Sequence, residues 1–478
     1  MWMLLLLVMV VAVAGQVPVI PPGDTIPEIC AYCECLDTVP MDVDCTSADL
    51  REVPDLTADN FTFPWVLNLA NNLISEVPKL PVVHNVLSLN FKRNRISKIA
   101  DDAFKELPEL KNLYLQYNNL TDNSITEGVF RGHYNSTHPK PLGLEELDLS
   151  YNYITTLKIN TLKHLSFLKR LLLSHNPIGD IPWSMAAAIV ELHSLEELDL
   201  SQTGLDRLPS NFLTDLRNLR VLTLAGNKLL SVPSEVNYAR NLVQLNLNAN
   251  PITTVSVGDF QSGLKTLRVL EMSAMPHLRH VGSHAFSSLT SLQVLKMSDN
   301  PEFSYIDRDA FYKLLGDELA LQEIHIQDNK LSSLEENMLP WRELKVVDIQ
   351  NNPWNCDCHL KWVAQELIPV LETKNPETTL SIHCAEPIAD RGMRVTDLLV
   401  HSHTFQCTTP HTFVGHRNVG PLIASTIVVG AILLLTGTLV FAYALFRRSR
   451  TRHMFGESIK YRRAFNEDQE AVGQTVHS

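Results

Sequence analysis

Residues 219–232 read LRVLTLAGNKLLSV, and residues 110–120 read LKNLYLQYNNL. Both fit one phrase, L-x-x-L-x-L-x-x-N-x-L. Its L-x-L portion alternates with period two, so it predicts a short strand with one buried face. The Asn that follows stands where the chain turns away from the strand. Backbone groups buried in that turn need partners, and an amide side chain supplies both a donor and an acceptor. With the Asn slot as register mark, the phrase recurs at Asn72, Asn94, Asn118, Asn152, Asn176, Thr203, Asn227, Asn250, Met275, Asn300, Asn329 and Asn352. The twelve copies are spaced 22, 24, 34, 24, 27, 24, 23, 25, 25, 29 and 23 residues apart. A unit this small cannot bury its own apolar face. Neighbours must stack, and their strands form a parallel sheet on one side.

Two slots break the pattern. Thr203 offers only a hydroxyl and Met275 no amide, so irregular turns are expected at those units; Pro276 and the offset Leu278 point the same way. Several units continue as Ile99…Ala103-Phe104, Val281…Ala285-Phe286 and Ile306…Ala310-Phe311. These Phe residues are expected to stack into a spine on the convex side, not to contact a ligand.

A chain of 478 residues suggests about three domains by length. The repeat replaces that division with one array. Residues 1–15, MWMLLLLVMVVAVAG, read as a signal peptide ending in Ala12-Val13-Ala14. Residues 422–446 carry no charged side chain and are long enough to cross a bilayer. Arg447, Arg448, Arg450 and Arg452 follow, which sets the C-terminal side as cytoplasmic. The expectation is a type I single-pass protein of the plasma membrane with its N-terminus extracellular. The tail from Arg447 holds 7 basic and 4 acidic residues, leaving 33 and 49 outside it, so a net charge of -13 resolves into -16 and +3. Such an acidic exterior argues against nucleic acid as a partner.

The eight Cys fall in two quartets that bracket the repeats. Cys30, Cys33, Cys35 and Cys45 precede them; Cys356, Cys358, Cys384 and Cys407 follow. Each quartet has zinc as a competing reading. The secretory signal favours disulfides, because that compartment oxidises thiols. An open array has apolar ends and free strand edges, and stapled caps would cover them. Sequence alone allows three pairings within each quartet.

The order of signal, cysteine-rich cap, repeats, second cap and single span resembles animal extracellular leucine-rich-repeat membrane proteins. Asn352-Pro353-Trp354-Asn355-Cys356-Asp357-Cys358, with Leu360 and Trp362, is similar to the C-terminal cap of Slit, Toll and neurotrophin-receptor relatives. The resemblance covers roughly residues 28–446. It implies an α/β fold: a right-handed leucine-rich-repeat solenoid, or horseshoe, with a parallel concave β-sheet, disulfide caps and one transmembrane helix. It also implies the pairs Cys30–Cys35, Cys33–Cys45, Cys356–Cys384 and Cys358–Cys407. The expected division is a signal at 1–15, an N-cap at 28–55, repeats at 56–352, a C-cap at 353–407, a stalk at 408–421, a span at 422–446 and a tail at 447–478.

Outward strand residues follow from the register. A middle stripe runs Asn68, Asn90, Tyr114, Asp148, Leu172, Asp199, Thr223, Asn246, Glu271, Lys296, His325 and Asp348. Two residues earlier stand Glu146, Arg170, Glu197 and Glu323. Tyr114, Glu146, Asp148, Arg170, Glu197 and Asp199 therefore form the candidate partner-binding patch, acidic around one Arg. The long interval between Asn118 and Asn152 reads as a projecting loop near residues 131–143. Asn60, Asn119 and Asn135 each open an N-glycosylation sequon. No nucleophile, base and orienting residue assemble and no phosphate loop is present, so the pattern argues against an enzyme and calls for no cofactor and no metal. The expected function is a receptor or co-receptor that binds an extracellular protein ligand or an opposing cell-surface protein. The alternative is an adhesion molecule without signalling. The tail is too short for a signalling domain, so any signal would need a cytosolic adaptor or a co-receptor.

Overall fold

The computed structural model describes residues 28–57, 61–135, 138–312, 320–400 and 405–406. The chain divides into two compact units, one ending at Gln406 and one beginning at Cys407. All described residues belong to the first. Among them, no helix is long and apolar enough to cross a membrane. The expected signal, stalk, span and tail lie outside the described residues, as do Asn60 and Cys407.

The first unit is built on a sheet of 14 strands whose order follows the sequence. It opens with the antiparallel pair Glu34–Leu36 and Met41–Asp44. From Met41–Asp44 onward every pairing in this sheet is parallel, ending at Val346–Asp348. The reason is the L-x-L pattern. The central residue of each strand points inward, and Leu113, Leu147, Leu171, Leu198, Leu222, Leu245, Leu270 and Leu295 are all buried. Each such side chain contributes roughly 1.5–3 kcal/mol on leaving water. Neighbouring strands keep these residues level, as in Leu147↔Leu171 and Leu171↔Leu198.

The turn after each strand is set by the slot residue. Asn250 is fully buried. Its Nδ2 donates to the Leu224 carbonyl of the preceding repeat at 2.9 Å and to the Leu247 carbonyl at 3.0 Å. Its Oδ1 accepts the Leu229 N–H at 3.1 Å. The same three contacts recur at Asn118 with Phe91, Leu115 and Ile96, and at Asn352 with Ile326, Ile349 and Leu331. One amide thus closes its own turn and ties it to the previous one.

At Thr203 the hydroxyl donates to Leu200 O at 2.7 Å but nothing there receives the Ile178 amide. That amide bonds instead to Asn176 O at 2.8 Å, and Gly179 takes φ +70. Around Met275 the turn slides by two residues. Asn300 accepts Met275's own N–H at 2.7 Å, not the amide two positions on, and Asn329 likewise accepts that of Asn300.

The residue before every slot is left-handed, from Asn71 (φ 58) through Tyr117, Tyr151 and His175 to Asn351 (φ 53). Gly226 is the one glycine in this row. An L residue there costs roughly 1–2 kcal/mol, which the ladder of buried amides outweighs.

The opposite side is irregular. It holds the paired short strands Thr254–Val255, His280–Val281 and Tyr305–Ile306, and one helix, Trp183–Val190. Phe104 stacks on Phe130 at 6.4 Å, Phe260 on Phe286 at 6.0 Å, and Phe286 packs against Phe311 at 5.1 Å. All five are buried, so their rings serve as core. The interval read as a projecting loop is more ordered than that. Its residues His133–Asn135 and His138–Lys140 pair antiparallel. Gly132 permits the approach, since a Cβ there would lie 2.0 Å from the Lys140 carbonyl oxygen.

Disulfides join Cys30 to Cys35 and Cys33 to Cys45 beside the first strands. After the last repeat, Cys356 is joined to Cys384. The Trp354 indole is buried there and donates to Ile349 O at 3.2 Å. Cys358 is also oxidised. Asp357, Cys358 and His359 cluster within 4.8 Å, but a disulfide sulfur is not a thiolate, so this is no cysteine metal site.

Candidate partner-binding surface

The register brings the six candidate residues onto four adjacent strands. Glu146 pairs with Arg170, and Arg170 with Glu197. One step along, Asp148 pairs with Tyr114 on one side and Leu172 on the other, and Leu172 with Asp199. Four carboxylates therefore surround one guanidinium within a few strand spacings of about 4.8 Å.

Contacts inside the patch are specific. The Arg170 Nη2 and the Tyr114 hydroxyl both donate to Glu146 Oε2, the second at 3.1 Å. Glu146 and Asp148 are each only 8% exposed. Burial pushes the Tyr114 phenol up to about 12, aided by the Glu146 charge. Burial likewise raises Asp148; the Ser150 hydrogen bonds oppose it, and the charges of Glu146 and Asp199 add to it. Glu197 is raised by burial although Arg170 stands opposite. The hydrogen bond to Glu146 raises Arg170. Arg170 is thus committed to Glu146, and the other three carboxylates are left with too little positive charge nearby.

Further along the face one acid has a cation beside it. Lys296 Nζ lies 2.9 Å from Glu271. Asn248 and Ser273 bond within the sheet face to Ser273 N and Ser298 N. Beside the patch, Lys111 and Lys169 share Glu145 at 2.5 and 2.7 Å. A charge imbalance stands at the strands Glu146–Asp148 through Glu197–Asp199. A second acidic group, Glu34, Asp42 and Asp44, stands on the first two strands, where burial and then the Asp44 charge raise Asp42.

One role was not visible from outward periodicity alone. Asp148 Oδ1 accepts the Ser150 amide at 2.9 Å, and Asp199 Oδ1 accepts that of Ser201 at 2.8 Å. Asn68, Asn90, Asn246 and Asp348 each do the same for the amide two residues on. These side chains hold the turn that leaves the strand. The signal was present: Asn or Asp recurs four residues before the slot. Neutralising the patch therefore calls for Asp→Asn, which keeps the acceptor and removes only the charge.

Of the sequons, Asn119 is exposed, and Asn135 lies at the end of a paired strand.

Leucine-rich-repeat family profiles match residues 66–120, 143–165 and 240–301. The chain is 29% identical to lumican of Rattus norvegicus over 282 residues, covering 56% of this chain and 75% of lumican. It is 30% identical to tsukushi of Gallus gallus over 262 residues, covering 50% of this chain and 68% of tsukushi. A solved leucine-rich-repeat protein of Leptospira interrogans is 23% identical with a TM-score of 0.47, covering 66% of this chain and 79% of that one.

Proposed function

For a chain that belongs to the leucine-rich-repeat proteins, we propose a type I cell-surface protein whose sheet face binds a protein partner, as receptor or co-receptor, with no catalytic activity of its own. The observation behind this reading is the under-neutralised group Asp148, Glu197 and Asp199 beside the Glu146–Arg170 pair. A partner that presents Lys or Arg to it would supply the missing charge, with Tyr114 and Arg170 as the residue types that anchor interfaces. The acidic exterior and the 422–446 span with its Arg cluster support the membrane-bound placement.

Two cell assays test it. Cells displaying the full chain are screened against a panel of displayed extracellular proteins, and each binder is re-measured on Asp148→Asn/Glu197→Gln/Asp199→Asn. Binding that is indifferent to the triple change removes the patch from the function. Cells expressing the chain with and without residues 447–478 are also mixed and scored for aggregation and response. A response that needs the tail supports a receptor. Aggregation without any such response supports adhesion instead.

A further inference from the structure

A second surface lies on the rim formed by the left-handed row. Tyr117, Tyr151 and His175 occupy this row in consecutive repeats and stack face to face, with centroids 4.0 and 3.9 Å apart. The outer face of Tyr117 is covered by cations: Lys92 Nζ lies 5.8 Å and the Arg93 guanidinium 5.4 Å from its centroid. Arg95 is exposed two residues further on. Lys98 nearby is paired with Glu76, but among the described residues no carboxylate lies within 4.0 Å of Lys92, Arg93 or Arg95. In an exterior of charge -16, two cations cover the end of the ring stack and a third is exposed two residues on, none of them in an ion pair among the described residues.

The fold does not demand bulk there. The same row position is Gly226, Ala249 and Ala274 further along. A bulky residue such as Tyr117 or Tyr151 in left-handed backbone is among the more costly choices. The ring faces are occupied by one another and by the cations, so the ridge offers edges, hydroxyls and N–H donors, not an apolar pocket. The rings follow one another at 4.0 and 3.9 Å across three consecutive repeats. A row of cations and neutral donors fits a linear polyanion better than a folded protein surface.

We propose that Lys92, Arg93 and Arg95, with the Tyr117–Tyr151–His175 ridge, form a binding site for a sulfated polysaccharide. The cations neutralise sulfates, and the one hydroxyl hydrogen left by the Tyr117–Tyr151 hydrogen bond, together with the imidazole, donates to sulfate and ring oxygens. The site is separate from the acidic patch and does not depend on it.

The test uses the purified full chain with Asn119→Gln throughout, because a glycan on Asn119 would flank the rim. Heparin is the probe, with hyaluronan and single-stranded DNA as comparisons. Heparin binds and is released by salt; hyaluronan, which has no sulfate, does not bind. Lys92→Gln/Arg93→Asn/Arg95→Gln weakens heparin binding about tenfold or more. The charge-keeping set Lys92→Arg/Arg93→Lys/Arg95→Lys retains it. Lys111→Gln/Lys169→Gln/Arg220→Gln, on another edge of the sheet, leaves it unchanged. Absence of heparin binding, or equal loss in the two neutralised triples, overturns the site. DNA bound as tightly as heparin overturns the assignment to sulfated polysaccharide.

Discussion

Asn250→Ala measures what one slot contributes. The substitution deletes two short donated bonds, to Leu224 O and Leu247 O, a longer shared one to Asn248 O at 3.3 Å, and the accepted bond from Leu229 N–H. Three bonds at about 1 kcal/mol each give a loss of roughly 3 kcal/mol. The site is fully buried, so the Leu224 carbonyl and the Leu229 amide gain no water in exchange. Orphaned groups raise the cost toward about 5 kcal/mol. Thr203→Ala is the internal control. Its hydroxyl donates to Leu200 O and approaches Asn227 Oδ1 at 3.1 Å, so its loss is expected near 1 kcal/mol. Urea unfolding followed by tryptophan fluorescence reads the difference, with Trp341, Trp354 and Trp362 packed at the far end of the array. An Asn250→Ala change no larger than that of Thr203→Ala would refute the claim that the amide ladder holds the turns.

Three further outcomes are expected. Gly226→Ala, at φ +65, costs roughly 1 kcal/mol in a thermal melt, and its Cβ must also displace the Gln202 amide 2.0 Å away; Ala249→Gly, at φ +55, is neutral or stabilising. Phe286→Ala opens a cavity between Phe260 and Phe311 and costs about 3–5 kcal/mol by urea unfolding, without altering partner binding. The raised pKa values of Asp148 and Glu197 set a pH dependence. Their folded-state affinity for protons exceeds that of the unfolded chain, so the charged forms disfavour folding at neutral pH. This penalty falls as pH drops through the raised values toward the ordinary carboxylate range near about 4. Melts across that window should show Asp148→Asn/Glu197→Gln more stable than the parent at neutral pH, with the gap closing on acidification.

The repeat period made the sheet legible because a buried L-x-L strand leaves its mark every turn. The slot Asn was legible for the same reason, and so were the units where Thr203 and Met275 cannot fill it. Other features left weaker traces. The left-handed row is occupied by Asn, Arg, Tyr, His, Gln, Gly, Ala and Asp in turn. Asn71, His175, Gly226, Asp299, Asp328 and Asn351 favour this conformation locally, but Arg93, Tyr117, Tyr151, Gln202, Ala249 and Ala274 are held in it by the amide ladder, so composition conceals the row. The 131–143 interval reads as a loop from Pro139 and Pro141, yet Gly132 lets its two arms close into a pair. Periodicity located the patch on one face but could not show that Asp148 and Asp199 also hold turns. That duty depends on a bond to the second following amide, which spacing implies only once the turn is known.

The most direct measurement compares a partner's affinity for the displayed full chain with that for Asp148→Asn/Glu197→Gln/Asp199→Asn. The substitutions keep the Ser150 and Ser201 turn bonds available and remove three charges. Binding is expected to weaken about tenfold or more and to lose most of its salt dependence, while the melting temperature does not fall. A partner that binds both forms alike, with the same salt dependence, would contradict the assignment of the sheet face as the docking surface.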